Sequence, residues 1–133
     1  MTTPRTVEER IRWFLDPPYP ERRGLCAHWV WRACRIPYTN SPDATAAYRK
    51  AHEAGFVHTD DNPPRGAIVW WLGGSHNHGH VAISLGDRRI STTDAHPKGT
   101  KTGEHALTWP RTEWGLTFKG WSWSYAHIPI PKD

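Results

Sequence analysis

The chain has 133 residues, carries 17 Lys and Arg against 13 Asp and Glu, and includes nine Trp, two Cys and nine His. That length suits one domain spanning residues 1–133, with a hydrophobic core that needs no disulfide staples. The charge of +4 is scattered, with only short basic pairs at Arg22-Arg23 and Arg88-Arg89, so neither a basic stripe nor a nucleic-acid motif is present and no nucleic-acid partner is expected.

The elements follow in chain order. Thr6-Val7-Glu8-Glu9 reads as a capping box. Val7, Ile11, Phe14 and Leu15 recur at helical spacing behind it, predicting a first helix of about ten residues. Pro17, Pro18 and Pro20 end it. Glu21 to Gly24 is expected to be a loop, and Gly24 to Cys34 a second helix with Cys26 in its first turn. A third helix is expected between Ser41-Pro42, as N-cap and first helical residue, and Gly55 just past its end.

The pattern then changes. Ala67 to Leu72 is an apolar run bounded by Pro64, Gly66, Gly73 and Gly74, which predicts a buried strand. His80 to Leu85 predicts a second strand, Gly86-Asp87 a turn, and Arg88 to Thr93 a returning strand. Ala95 to Leu107 is expected to be loop, and Phe118 to Ile128 to supply one or two more strands. Helices first and an antiparallel sheet afterwards make an α+β domain.

No apolar run is long enough to span a membrane, and the opening residues lack the apolar core of a signal peptide. A soluble monomer without a secretion address is therefore expected. Cys26 and Cys34 on one helix are separated by about 12 Å of rise, too far for an intramolecular bridge. Two thiols at such spacing suit a reducing compartment, with one or both reactive.

A first-turn position lowers a thiol pKa through free amide groups and the helix dipole, which favours Cys26 as nucleophile over Cys34 at the other end. Cys34 is most simply a small core residue. A thiolate needs an imidazole to take its proton and return it to a leaving amine. Among the histidines, His80 opens a strand directly after Gly79, where a side chain can reach a cleft. A third polar group must hold the other ring nitrogen. Asp94 is the first choice because a carboxylate stabilises imidazolium better than a hydroxyl, with Thr92 or Ser91 as the fallback. His28 stands on another face of the Cys26 helix and is expected at the surface or in a wall. His76, His78 and His80 alternate as strand metal ligands do, but the surrounding glycines and the lack of a completing Cys or carboxylate argue against a metal site.

Three segments resemble one family in its order. Gly24-Leu25-Cys26-Ala27-His28-Trp29-Val30 resembles the nucleophile segment of CHAP domains, the cysteine, histidine-dependent amidohydrolase/peptidases of the papain-like NlpC/P60 group. Pro64-Arg65-Gly66-Ala67-Ile68-Val69-Trp70-Trp71 resembles their Pro-Gly-Asp strand, and Gly79-His80-Val81-Ala82-Ile83 their His strand. Gly120-Trp121 is similar to a pair near the end of some phage members.

The resemblance spans about residues 24 to 94. It implies a papain-like α+β fold, N-terminal helices on a small antiparallel sheet, and peptidoglycan as the substrate. The bond cut is then in the stem peptide or cross-bridge, or at the sugar–peptide junction. It also implies a phage endolysin type, held in the host cytoplasm until released to the wall or carried on a virion. Two departures stand out: Ala67 takes the place of the family's Asp, and Ser91-Thr92-Thr93-Asp94 replaces a Glu/Asn pair. No acidic loop of the kind that binds calcium in relatives is present, so no metal or other cofactor is expected. Tyr19 stands where a tyrosine helps the oxyanion hole in the wider group. The alternatives are a non-catalytic module holding wall fragments or a partner protein in a Trp-rich cleft, and a toxin-like amidase acting on a non-wall substrate.

Overall fold

A computed structural model describes residues 3–17, 25–95 and 102–133. Tyr19, the loop at 21–24 and the Arg22-Arg23 pair lie outside the described residues. Helices α1 (Val7–Leu15), α2 (Cys26–Cys34) and α3 (Ala44–Glu53) come first. Strands β1 (Ile68–Leu72), β2 (His80–Gly86), β3 (Arg89–Thr92) and β4 (Gly103–Ala106) follow, then helix α4 (Trp109–Trp114) and strands β5 (Thr117–Ser122), β6 (Ser124–Tyr125) and β7 (Ile128–Pro129). The main sheet is antiparallel in the order β4-β3-β2-β1-β5, and β6 and β7 form a separate pair. This is the mixed α+β, papain-like arrangement expected from the sequence.

The capping box forms as the spacing predicts, with the Glu9 amide donating to Thr6 Oγ1 and the Thr6 amide to Glu9 Oε1. Helix α1 buries Val7, Ile11 and Phe14 together with Arg10, whose side chain is fully enclosed. The Arg10 guanidinium donates to three main-chain carbonyls: Gly66 at 2.8 and 3.0 Å, Arg5 at 3.0 Å and Pro131 at 2.7 Å. A buried charge is tolerable when its donors are met in this way.

The β1 run is apolar throughout because both faces of the central strand are covered. Ile68 and Trp70 pack with the helices, Val81, Ile83 and Tyr125. Val69 and Trp71 pack on the opposite face with Ala82, Ile90, Leu107, Leu116 and Trp121. Leu107 and Leu116, on either side of helix α4, bring the chain onto that second face.

Several boundaries differ from expectation. Asp43, not Ser41, caps α3, accepting from the Ala46 amide at 2.8 Å, while the Ser41 hydroxyl is engaged with Thr39 at 2.8 Å. The β2–β3 turn falls on Asp87 and Arg88, one residue later than predicted, with both residues at positive φ as a tight hairpin turn requires. The described part of the expected loop from Ala95 to Leu107 contains β4, an edge strand paired with β3. Gly120, at φ +125, stands so close to the main chain of His58 that a Cβ would fall 2.1 Å from its carbonyl oxygen. This explains Gly120-Trp121 structurally, because His58 and Trp121 form a β-bridge there and their rings stack at 4.2 Å.

Candidate active site

Cys26 is the first residue of α2, half-buried, and a free thiol. His80 is the first residue of β2. Its placement depends on the turn before it. The Thr45 amide, in the first turn of α3, donates to the His78 carbonyl at 3.0 Å, and the Thr45 hydroxyl to the Asn77 carbonyl at 2.7 Å. Gly79, at φ +72, passes so near that a Cβ would lie 2.8 Å from the Trp71 carbonyl oxygen and 2.9 Å from Thr45 Oγ1. Only glycine fits this conformation without strain, and it delivers His80 to the mouth of the sheet.

Cys26, His80 and Asp94 line one cavity of about 530 Å³. Its walls include Leu25, Asp43, Gly73, Gly74, Trp114 and Leu116. His28, expected at the surface or in a wall, is exposed and lines this cavity. The His80 ring is buried between Trp71, at 5.7 Å between centroids, and Trp114, at 5.0 Å edge to face.

Thr92 meets the imidazole most directly, with its Oγ1 2.6 Å from His80 Nε2. The Thr92 hydroxyl donates onward to the Thr93 carbonyl at 3.1 Å. Its lone pair therefore accepts the Nε2 proton, which leaves Nδ1 as the unprotonated nitrogen. Of the three candidates for the orienting position, Ser91 is committed elsewhere, donating to the Ile83 carbonyl at 2.9 Å. Asp94 lies in the cavity wall, where its charge acts on Cys26.

The electrostatics run opposite to the helix-terminus expectation. Withdrawal from solvent pushes the Cys26 thiol up to about 11, reinforced by the carboxylates of Asp94 and Asp43 and opposed by hydrogen bonds from the Val81 and Ala27 backbone. Burial pushes His80 down to about 3. Both shifts favour uncharged forms, a neutral thiol and a neutral imidazole. Cys34 is a fully buried core residue, pushed up to about 12 by its burial.

His76 and His78 stand beside one another at 5.7 Å between ring centroids on the exposed turn before β2, while His80 is buried. Among the described residues no group of three His, Cys, Asp or Glu converges as metal ligands would. Nor is any described helix long and apolar enough to cross a membrane. Sequence reasoning missed Trp114 over His80. Nothing in its surroundings marks a helix strongly, though Pro110 near the start and Gly115 just past the end are the terminal signals that point to one.

The family model for the CHAP domain matches residues 18–96, which contain Cys26, His80, Thr92 and Asp94. Comparison with curated proteins finds no match.

Proposed function

The chain belongs to the CHAP-domain family, a family of peptidoglycan amidases and peptidases, and on that footing we propose that it hydrolyses an amide bond of peptidoglycan with Cys26 as nucleophile and His80 as base. The observation that carries this is the meeting of Cys26 and His80 in one cavity, with Nε2 of the imidazole committed to Thr92. Nδ1 is then the atom that takes the thiol proton as Sγ attacks the substrate carbonyl.

Because the resting pair is neutral, the proton moves with the attack rather than before it. The first-turn amides of α2 are the donors for the oxyanion that forms. As the tetrahedral intermediate collapses, the imidazolium returns the proton to the leaving amine. Water then attacks the thioester, giving up a proton to Nδ1, and hydrolysis releases the acid and restores the thiol. Thr92 orients the ring throughout.

The test is turbidity loss of purified Gram-positive cell walls, with mass spectrometry of the fragments. Cys26→Ala and His80→Ala abolish lysis, and Cys34→Ala leaves it. The neutral resting pair is also what a non-catalytic wall-binding module would show. Wall binding by folded wild type with no released fragment establishes that second reading instead.

A further inference from the structure

Two cavities open beside the start of α2, and their chemistry differs. The larger holds Cys26 and His80 and carries the carboxylates of Asp43 and Asp94, with no Lys or Arg among its described lining residues. The smaller, about 180 Å³, shares a wall with it formed by Leu25, Ala27, His28 and Pro42. Leu25 and Ala27 flank Cys26 in the chain, so the smaller cavity lies directly beside the nucleophile's own.

The rest of the smaller cavity is Trp31, Tyr38, Thr39, Ser41 and Tyr125. None of these carries a charge. Tyr38 is 56% exposed, more than any other large hydrophobic side chain among the described residues, yet its surroundings are fixed. Trp31 meets Tyr38 edge to face at 5.3 Å, and His28 in turn packs on Trp31 at 5.6 Å. The Trp31 indole donates to the Ile36 and Pro37 carbonyls at 2.9 and 3.2 Å. Lys50 donates to the Thr39 and Asn40 carbonyls, pinning the same loop. An aromatic ring held in solvent at a cavity lined by no charged side chain but His28 suits a neutral ligand with an apolar face, which a sugar ring offers.

We propose that this side cavity is a carbohydrate subsite that seats an N-acetylated sugar of the glycan strand and presents the sugar–peptide amide to Cys26. The acidic larger cavity then receives the peptide part of the substrate, where carboxylates complement a diamino acid. This deepens the hydrolase reading by naming the bond, and for the cleavage step it rests on that reading.

The experiment has two arms. In the first, tri-N-acetylchitotriose is titrated into the full chain and followed by tryptophan fluorescence, for wild type, Tyr38→Ala and Tyr38→Phe. Saturable binding is expected, weakened about tenfold or more in Tyr38→Ala and kept in Tyr38→Phe. Thermal unfolding of the same proteins verifies that the variants are folded. In the second arm, wall digests by wild type are expected to release stem peptides with free amino termini and glycan without peptide, with the Tyr38→Ala loss falling on KM.

No saturable binding, or equal affinity in Tyr38→Ala, overturns the subsite. Fragments cut only between amino acids overturn its role in choosing the bond. Tyr38-dependent sugar binding by a protein that releases no wall fragment keeps the subsite and rejects the hydrolase reading.

Discussion

Nε2 of His80 lies 2.6 Å from Oγ1 of Thr92, a bond between the first residue of β2 and the last of β3. In the proposed dyad a hydroxyl then takes the orienting position for which a carboxylate is the stronger choice. Removing it in Thr92→Val strands a buried N–H and frees the ring to change tautomer, so kcat is expected to fall about 10- to 100-fold. Thr92→Ser restores most of that loss, which separates an orienting hydroxyl from a packing methyl. Steady-state kinetics on solubilised wall fragments reads both.

Asp94 acts by charge on the same dyad. Its carboxylate raises the Cys26 thiol, so Asp94→Asn lowers the pH at which iodoacetamide alkylates Cys26, while Thr92→Val acts mainly on turnover. An alkylation profile unchanged by Asp94→Asn rejects the charge effect.

Stability depends on pH through the same buried groups. The ring of His80 titrates near 6.5 in the unfolded chain and at about 3 in the folded one. The unfolded state therefore binds the extra proton between these values, and stability is lost as pH falls through that window, by roughly 4–5 kcal/mol at its far end. Cys26 works in the opposite sense: its folded pKa is raised from 9.0 to about 11, so its contribution is complete below pH 9 and lost above it. Chemical denaturation across pH is expected to show a plateau between about 6.5 and 9. His80→Gln flattens the acid limb.

Gly120→Ala places a methyl against the His58 carbonyl in a backbone conformation that L residues rarely adopt. A loss of roughly 2–4 kcal/mol is expected, seen as a lower Tm. Catalysis in the surviving folded fraction stays close to wild type, because Gly120 sits on β5, across β1 from β2, and lines no part of the cavity around Cys26 and His80.

The parts legible in the sequence were those where local chemistry and tertiary context agree. Thr6 and Glu9 cap α1 without outside help, and the unbroken run from Ile68 to Leu72 reflects a strand covered on both faces. Cys26 and His80 fall at the starts of a helix and a strand that the sequence predicts. Where contacts distant in sequence decide, legibility ends. Asp43 caps α3 because the Ser41 hydroxyl is drawn to Thr39. Helix α4 is a single short stretch stabilised by Leu107 and Leu116 against the back of the sheet. Helix position alone suggested an acidic Cys26 thiol; its enclosure by folded chain outweighs the few amides that stabilise the anion.

Arg10 and Pro131 stand 121 residues apart and are joined by a bond of 2.7 Å. During synthesis α1 precedes that acceptor by 121 residues. Until then the guanidinium has only the Arg5 and Gly66 carbonyls to meet it, and its remaining donor depends on water. Docking of α1 is therefore complete only once Pro131 has been made, and a ribosome stalled short of it holds a polypeptide in which Arg10 still lacks one of its acceptors.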